Sequence, residues 1–345
     1  MNDTPDLRRG WTTGACATAA TKAALQALWG GVFPASVTIT LPKGETPTFP
    51  LAYTGQGAGW TEVGITKNAG DDPDVTHGCL VSVRVSIAPG GITFKAGTGV
   101  GKITRPGLPI PPGEPAINPV PRQMMTDVVE EQAAAFGQSA DVEITVSIPG
   151  GAEIAKKTWN PRLGIKGGLS ILGTTGVVRP FSCAAWIASI HRGIDVARAC
   201  GLTHIAGCTG ATSERVVQGR FGLPDHAMLD MGDFAGGMLK YLCRHPIPRL
   251  TIGGGIGKMA KFAQGAMDLH SSRSLVNFAA LSDLVGQDLT GCISVLEALS
   301  RVGEPLGQAV ATQARAAALG QLRGAGVEVD VVVIDRAGTI VGVAE

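Results

Sequence analysis

Three carboxylates fall within four positions in Lys67-Asn68-Ala69-Gly70-Asp71-Asp72-Pro73-Asp74-Val75-Thr76. Such a group suits a hard cation or a general base. Asp and Pro equally favour a turn ahead of a strand. The spacing lacks the calcium loop that ends in Glu, so Asp71, Asp72 and Asp74 stand as candidate proton acceptors and not as a calcium site. A second feature is a lack of acid. No Asp or Glu lies between Ile154 and Ile194, whereas Lys156, Lys157, Arg162, Lys166, Arg179 and Arg192 do. Arg162, Lys166 and Arg179 flank a glycine-rich turn, an arrangement suited to carboxylate or phosphate recognition. Lys258, Lys261, His270 and Arg273 extend the same chemistry further along the chain, with His270 a further candidate base among hydroxyls and cations.

Three short apolar runs end in glycine-rich turns: Gly173-Thr174-Thr175-Gly176, Gly207-Cys208-Thr209-Gly210 and Gly253-Gly254-Gly255-Ile256-Gly257. Glycine lets backbone N–H groups approach a ligand, and a following helix N-terminus favours anions. If all three follow parallel strands, they share the carboxyl edge of one sheet, where ligands bind. Gly173, Thr174, Thr175, Gly176, Gly207, Gly210, Gly253, Gly255 and Gly257 are the candidate cofactor-binding positions. Two tempting motifs fail. Gly257-Lys258 resembles the end of a P-loop, but Ile252 and Met259 occupy the positions that need Gly and Ser or Thr. Gly97-Thr98-Gly99-Val100-Gly101 has Lys102 where a dinucleotide fingerprint needs its last glycine, and a Pro-rich stretch follows.

The elements that position these residues change character along the chain. Thr13–Trp29 is Ala-rich and predicts a helix stopped at Gly30-Gly31. Alternating runs predict strands at 37–41, 48–53, 60–66, 79–87 and 91–94. A Pro-rich connector spans 106–121, and a helix at 122–136 with a strand at 142–148 closes this half. Beyond it, apolar strands at 169–172, 202–206, 249–252 and 327–335 alternate with helices. The first of these, capped by Ser182 and running to Ala199, places Trp186, Ile187, Ile190, Ile194 and Ala197 on one face. Residues 258–269 predict another helix. This rhythm predicts a mixed, strand-rich part over 1–150 and, over 151–345, a mostly parallel, helix-covered sheet.

Composition bounds the function. The 345 residues are 44% hydrophobic and 17% charged, which supports packed cores and excludes a disordered chain. A net charge of +1 gives no reason to expect nucleic acid as a partner. The longest uncharged stretch, 23–42, is broken by Gly30, Gly31 and Pro34, so no membrane span is expected. Met1–Gly10 has no apolar core of a signal peptide. The seven cysteines are irregularly spaced with no C-x-x-C, which predicts neither a metal site nor a disulfide framework and suits a reduced cytoplasm.

Taken together, these segments resemble the CbiD family, the cobalt-precorrin-5B C(1)-methyltransferases of cobalamin biosynthesis. The resemblance is carried by Arg9-Gly10-Trp11-Thr12-Thr13-Gly14-Ala15-Cys16, by Lys67 to Thr76, by Gly97 to Gly101 with Thr104, Gly107 and Leu108, and by Ala116 to Arg122. It is most specific from Asn160-Pro161-Arg162-Leu163-Gly164-Ile165 through Gly176 to Pro180. It is completed by Gly257-Lys258 with Lys261, Gly265, His270-Ser271 and Arg273. One departure stands out: many relatives carry Gly-Asn-x-Gly where this chain has Gly207-Cys208-Thr209-Gly210, so no role of that Asn transfers.

The resemblance implies a two-part fold, an α+β domain over 1–150 and a Rossmann-like α/β domain over 151–345. It implies S-adenosyl-L-methionine as methyl donor and a cobalt-precorrin tetrapyrrole rich in carboxylates as acceptor. The donor is then expected at the glycine-rich edge and the macrocycle across the crevice between the two domains. It implies Thr12, Thr13, Lys67, Arg162, Lys166, Lys258, Lys261, Ser271 and Arg273 as substrate-binding residues, and Asp71, Asp72 and His270 as the catalytic ones. The acceptor brings its own cobalt, so no protein metal is expected; a homo-oligomer is compatible with all of this. Two other classes stay open: a nucleotide- or phosphate-binding enzyme using the Gly-Lys turns, and a non-catalytic tetrapyrrole carrier.

Overall fold

The computed structural model describes residues 7–345. Most of the Met1–Gly10 stretch therefore lies outside the described residues. Contacts divide the chain into Met1–Ser182 and Cys183–Glu345.

In the first unit, β1 (Gly10–Trp11) leads into α1 (Thr13–Gly30), followed by β2 (Ser36–Thr38), β3 (Thr48–Pro50), β4 (Tyr53–Gly57), β5 (Trp60–Thr66), β6 (Leu80–Ile87), β7 (Ile92–Ala96) and β8 (Lys102–Ile103). Then come α2 (Pro119–Phe136), β9 (Val142–Ser147), α3 (Gly151–Ala155), β10 (Ile165–Lys166) and β11 (Val177–Val178). The main sheet runs β4-β5-β6-β9-β7, antiparallel except where β7 meets β9. Its alternating strands bury Val63, Ile65, Val83, Val85, Ile144 and Val146. Helix α1 lies against β5, β6 and α2. Its alanines permit that close approach, and its buried hydroxyls are satisfied within the helix: Thr18 Oγ1 donates to the Gly14 carbonyl and Thr21 Oγ1 to that of Ala17.

The expected boundary at 150 is corrected by these pairings. Residues 165–178 belong to the first unit because β10 pairs with β8 and β11 with β1. The predicted strand at 169–172 is reduced to single bridges, Val100 with Leu169 and Ile117 with Ile171.

In the second unit, α4 (Cys183–Ala199) precedes β12 (His204–Cys208), α5 (Ala211–Phe221), β13 (Met228–Asp230), α6 (Ala235–Leu242), β14 (Arg249–Gly255) and α7 (Ile256–Ala263). Helices α8 (Phe278–Val285), α9 (Val295–Val302) and α10 (Glu304–Leu322) lead to β15 (Glu328–Ile334) and β16 (Ile340–Ala344). The sheet order is β13-β12-β14-β15-β16, parallel up to β15 and antiparallel at β16. Glycines in the strands mark which helix covers which face. A Cβ on Gly253 would meet Val217 of α5; one on Gly207 would meet Met238 of α6, and one on Gly254 would meet Met259 of α7. Residues 253 and 254 point to opposite faces, so α5 covers one side and α6 and α7 the other. The predicted helix at 258–269 stops at Ala263, because Gly265 turns the chain with φ +90°.

A polar network crosses this sheet near the amino ends of its strands. Arg249 Nε and Thr251 Oγ1 both reach Asp330 Oδ2, at 2.6 and 3.1 Å, and His204 Nε2 lies 2.8 Å from Thr251 Oγ1. Burial first, then the Arg249 charge, lowers the His204 pKa against the opposing pull of Asp330. The fold therefore favours the neutral ring. The unfolded chain binds the proton more readily, so this part of the stability is complete above about pH 6.5 and is lost as pH falls through the folded pKa. Urea midpoints at pH 7.5 and pH 5.5 are expected to differ less in His204→Gln than in the unsubstituted protein; equal differences would refute the coupling.

Candidate functional site

The sequence candidates fall into two groups, one in each unit. In the first unit, the start of α1, the 67–76 loop and the 172–181 segment meet. Trp11 N donates to the Asn68 carbonyl at 2.7 Å, Thr12 N to that of Gly176 at 3.0 Å and Gly14 N to that of Leu172 at 3.0 Å. Thr12 caps α1, its Oγ1 accepting from Ala15 N at 3.2 Å. Thr13 Oγ1 donates to the Leu172 carbonyl and accepts from Leu172 N. Both hydroxyls are thus held by backbone groups, that of Thr12 within its own helix and that of Thr13 by Leu172, distant in sequence.

Lys67 is almost wholly buried, and its Nζ lies 2.6 Å from Asp74 Oδ2. Asp74 Oδ1 accepts from both the N–H and the hydroxyl of Thr76. Burial pushes the Asp74 pKa up, but the Lys67 hydrogen bond and charge, with Thr76, outweigh it and leave the carboxyl below its ordinary value. Asp71 Oδ2 accepts from Arg8 N at 2.7 Å, and Asp72 Oδ1 from Phe181 N at 2.9 Å. Cys16, close enough to Lys67 to feel its charge, is nevertheless pushed up to about 12 by burial, so this thiol stays protonated.

The 173–176 turn is corrected. It leads into β11 and not into a helix, and it belongs to the first unit. Gly173 sits at φ +129° and a Cβ there would lie 2.3 Å from Thr12 Oγ1, so its glycine serves packing against the cap of α1. Thr174 is exposed, and Thr175 Oγ1 is within 3.3 Å of Val177 N. Arg162 and Lys166 lie in the segment around β10; the Arg162 guanidinium is 5.2 Å from the Trp159 ring, and Lys166 is exposed.

In the second unit, the other two turns do share an edge. Strand β12 is followed by a neighbour on one side, β13, and then by one on the other, β14. This order reversal makes a switch point, and in open α/β sheets ligands bind in the crevice outside it. The crevice lies between Thr209-Gly210 and Gly255-Ile256-Gly257. A Cβ placed on Gly210, Gly255 or Gly257 meets nothing within 4 Å, so packing does not fill the space beside these backbone positions. Gly207 and Gly253, by contrast, lie under Met238 and Val217 and are fixed by packing.

Lys258 spans the crevice. Its Nζ is 3.3 Å from the Thr209 carbonyl and 3.0 Å from Asp233 Oδ1. Asp233 Oδ1 is buried and receives no well-directed hydrogen bond, so this contact is an ion pair by distance alone. Lys261 Nζ donates to the Leu269 carbonyl at 3.0 Å, and Leu269 N to that of Asp233 at 2.9 Å. This brings the 268–273 loop beside the edge. There Arg273 pairs with Asp268 at 2.7 Å, and His270 Nδ1 accepts from Ser272 N at 3.2 Å. With Nδ1 engaged, the ring presents Nε2 as a hydrogen-bond donor. Ser271 is exposed on the same loop.

Two of the basic candidates are thus paired: Asp233 meets Lys258 from the loop after β13, and Asp268 meets Arg273 within its own loop. Sequence reading also missed Asp233 and the exposure of Trp186. Asp233 follows β13, a strand of only three residues, too short for any periodic signal. Among the described residues, no cluster of three or more metal-ligating side chains occurs. Nor is any helix among them long and apolar enough to cross a membrane.

The second unit is an α/β module whose switch point carries open glycines and polar side chains, the place where ligands bind in open α/β sheets. Comparison with known proteins gives the family. The CbiD family model matches residues 1–180. A cobalt-precorrin-5B C(1)-methyltransferase of Brucella anthropi is 58% identical, with 97% of this chain and 95% of that one covered. A protein of the same name from Paramagnetospirillum magneticum is 58% identical over 99% of both. A solved structure of a cobalamin biosynthesis protein (cbiD) from Archaeoglobus fulgidus matches 95% of this chain and 87% of that one, at 24% identity and a TM-score of 0.43. The chain belongs to the CbiD family.

Proposed function

We propose that this protein methylates ring carbon 1 of cobalt-precorrin-5B, giving cobalt-precorrin-6A in cobalamin biosynthesis, with S-adenosylmethionine as donor. What carries the reading is the near-full-length identity with relatives that bear that enzyme's name. We read the second unit as Rossmann-like, with β16 an antiparallel addition at its edge, and assign the donor to the switch-point crevice. The open Cβ positions at Gly210, Gly255 and Gly257 fit a ligand drawn close to backbone, and the poorly bonded Asp233 oxygen fits a site completed by a polar partner.

Bound S-adenosylmethionine supplies an electrophilic methyl: the ring carbon's electron pair forms the new C–C bond as the C–S bond breaks and a neutral thioether leaves. The chain's own task is positioning. Holding donor and acceptor carbon roughly 3–3.5 Å apart and in line can supply several kcal/mol of the barrier. Lys258 ties the loops after β12 and β13 to α7, which fixes the crevice walls relative to one another. Asp71 and Asp72 remain the proposed proton acceptors, since Lys67 holds Asp74 as an ion pair. His270 is proposed as a hydrogen-bond donor to substrate, and Arg162, Lys166, Lys261, Ser271 and Arg273 as partners of the macrocycle's carboxylates.

The test is incubation with methyl-labelled donor and enzymatically prepared cobalt-precorrin-5B, followed by mass spectrometry. One labelled methyl gained per macrocycle, at C1, is expected. Tight macrocycle binding without methyl gain would make the protein a carrier instead.

A further inference from the structure

Trp186 lies in the first turn of α4, and its place on the helix continues the stripe of Ile190 and Ile194. Those two are buried in the core of the second unit, but Trp186 is 43% exposed. The stripe runs past the end of the sheet, and the ring stands at its carboxyl edge. It is held there firmly. Its Nε1 donates to the carbonyl of Asp230, the last residue of β13, at 3.0 Å. One side of the indole lies on Gly232, where an added Cβ would approach ring atoms to 3.3–3.4 Å. The Phe234 ring flanks it at 6.4 Å between centroids. Next along the chain from Gly232 is Asp233, the carboxylate paired with Lys258 across the crevice.

A single exposed apolar side chain needs no explanation. A large ring oriented by a hydrogen bond and a glycine, beside the proposed ligand crevice, is a pre-set stacking surface. We infer that Trp186 is the stacking face of the donor subsite and takes the adenine ring of S-adenosylmethionine. The inference rests on the methyl-transfer reading. The ring stands beside the loop that carries Asp233 to the crevice where the donor is proposed, and the flat adenine is the part of that donor suited to stack on an indole.

The probe is S-adenosylhomocysteine, titrated calorimetrically onto the full chain. Base–aromatic stacking, removed by alanine substitution, weakens binding by roughly tenfold or more. Trp186→Ala is expected to weaken S-adenosylhomocysteine binding by about that factor, with tetrapyrrole binding unchanged. Trp186→Phe, which keeps a flat ring, should stay within about threefold of the unsubstituted protein. If Trp186→Ala unfolds, Trp186→Leu keeps apolar bulk without a ring and should show the same loss. Unchanged S-adenosylhomocysteine affinity in a folded Ala or Leu variant overturns the inference and leaves the methyl-transfer reading standing. A loss confined to tetrapyrrole binding overturns it too, by moving the ring to the acceptor. Failure of the unsubstituted protein to bind S-adenosylhomocysteine at all sinks both.

Discussion

Asp74→Ala is expected to destabilise the protein by about 3–5 kcal/mol, the cost of leaving one member of a buried ion pair without its partner. Lys67 retains 1% of its side-chain exposure, and the Asp74 carboxylate 2.6 Å away is the acceptor that meets its ammonium. Removing that carboxylate leaves a cation in the core beneath α1, together with an unmatched Thr76 N–H. Lys67→Met should cost less, because Asp74 is partly exposed and can turn to water while a methionine fills the buried volume. The pair also sets an acid limit. A carboxyl lowered in the fold binds protons more weakly than in the unfolded chain, so its contribution is complete above its ordinary value of 3.8 and fades as pH falls through the folded value. Denaturant melts of the two variants at neutral pH give the comparison. Equal and small losses would mean that water reaches the ammonium and that the pair is not isolated from it.

The order of these effects bears on how much the sequence could disclose. The strongly periodic elements were legible: α1 over Thr13–Gly30 and β5 over Trp60–Thr66 lie where Ala content and alternation place them. So were the two crevice turns, since Gly207 to Gly210 and Gly253 to Gly257 each close an apolar strand. The turn at Gly173 carries the same letters but answers to a different partner. Its glycine is fitted to Thr12, far away in sequence, and no local pattern reports that contact. The boundary after Ser182 was hidden for the same reason, because β10 and β11 are two-residue strands that return to β8 and β1. Charge was misread by being counted along the chain. Lys258 acquires Asp233 from the loop after β13 through folding, whereas the Arg273 partner, Asp268, lies five residues away in its own loop. Residue type singles out Asp71, Asp72 and His270 as candidates, but their hydrogen-bond partners, Arg8 N, Phe181 N and Ser272 N, belong to backbone geometry that residue type does not encode.

Gly255→Val and Gly257→Val are expected to abolish donor binding, weakening S-adenosylhomocysteine at least about a hundredfold, while the protein stays folded. Fold and function make opposite demands at these positions. Gly255 has φ −66° and ψ 146°, a conformation open to any L-residue, and Gly257 lies inside the first turn of α7. Neither has a protein atom within 4 Å of an added Cβ. The fold therefore does not require glycine at either place, and a side chain inside α7 should even recover a few tenths of a kcal/mol of helix propensity at Gly257. On the donor assignment proposed above, a valine would occupy the space that the ligand needs. Gly254→Val provides the contrast, since its Cβ would lie 2.6 Å from Met259 Sδ in the core and the damage there should appear as lost stability. Calorimetric titration and thermal melts of the three variants separate the two kinds of glycine. Folded Gly255→Val and Gly257→Val proteins that bind S-adenosylhomocysteine normally would place the donor away from the switch point. A cooperative melt near that of the unsubstituted protein, with binding gone, is the result that the open crevice calls for.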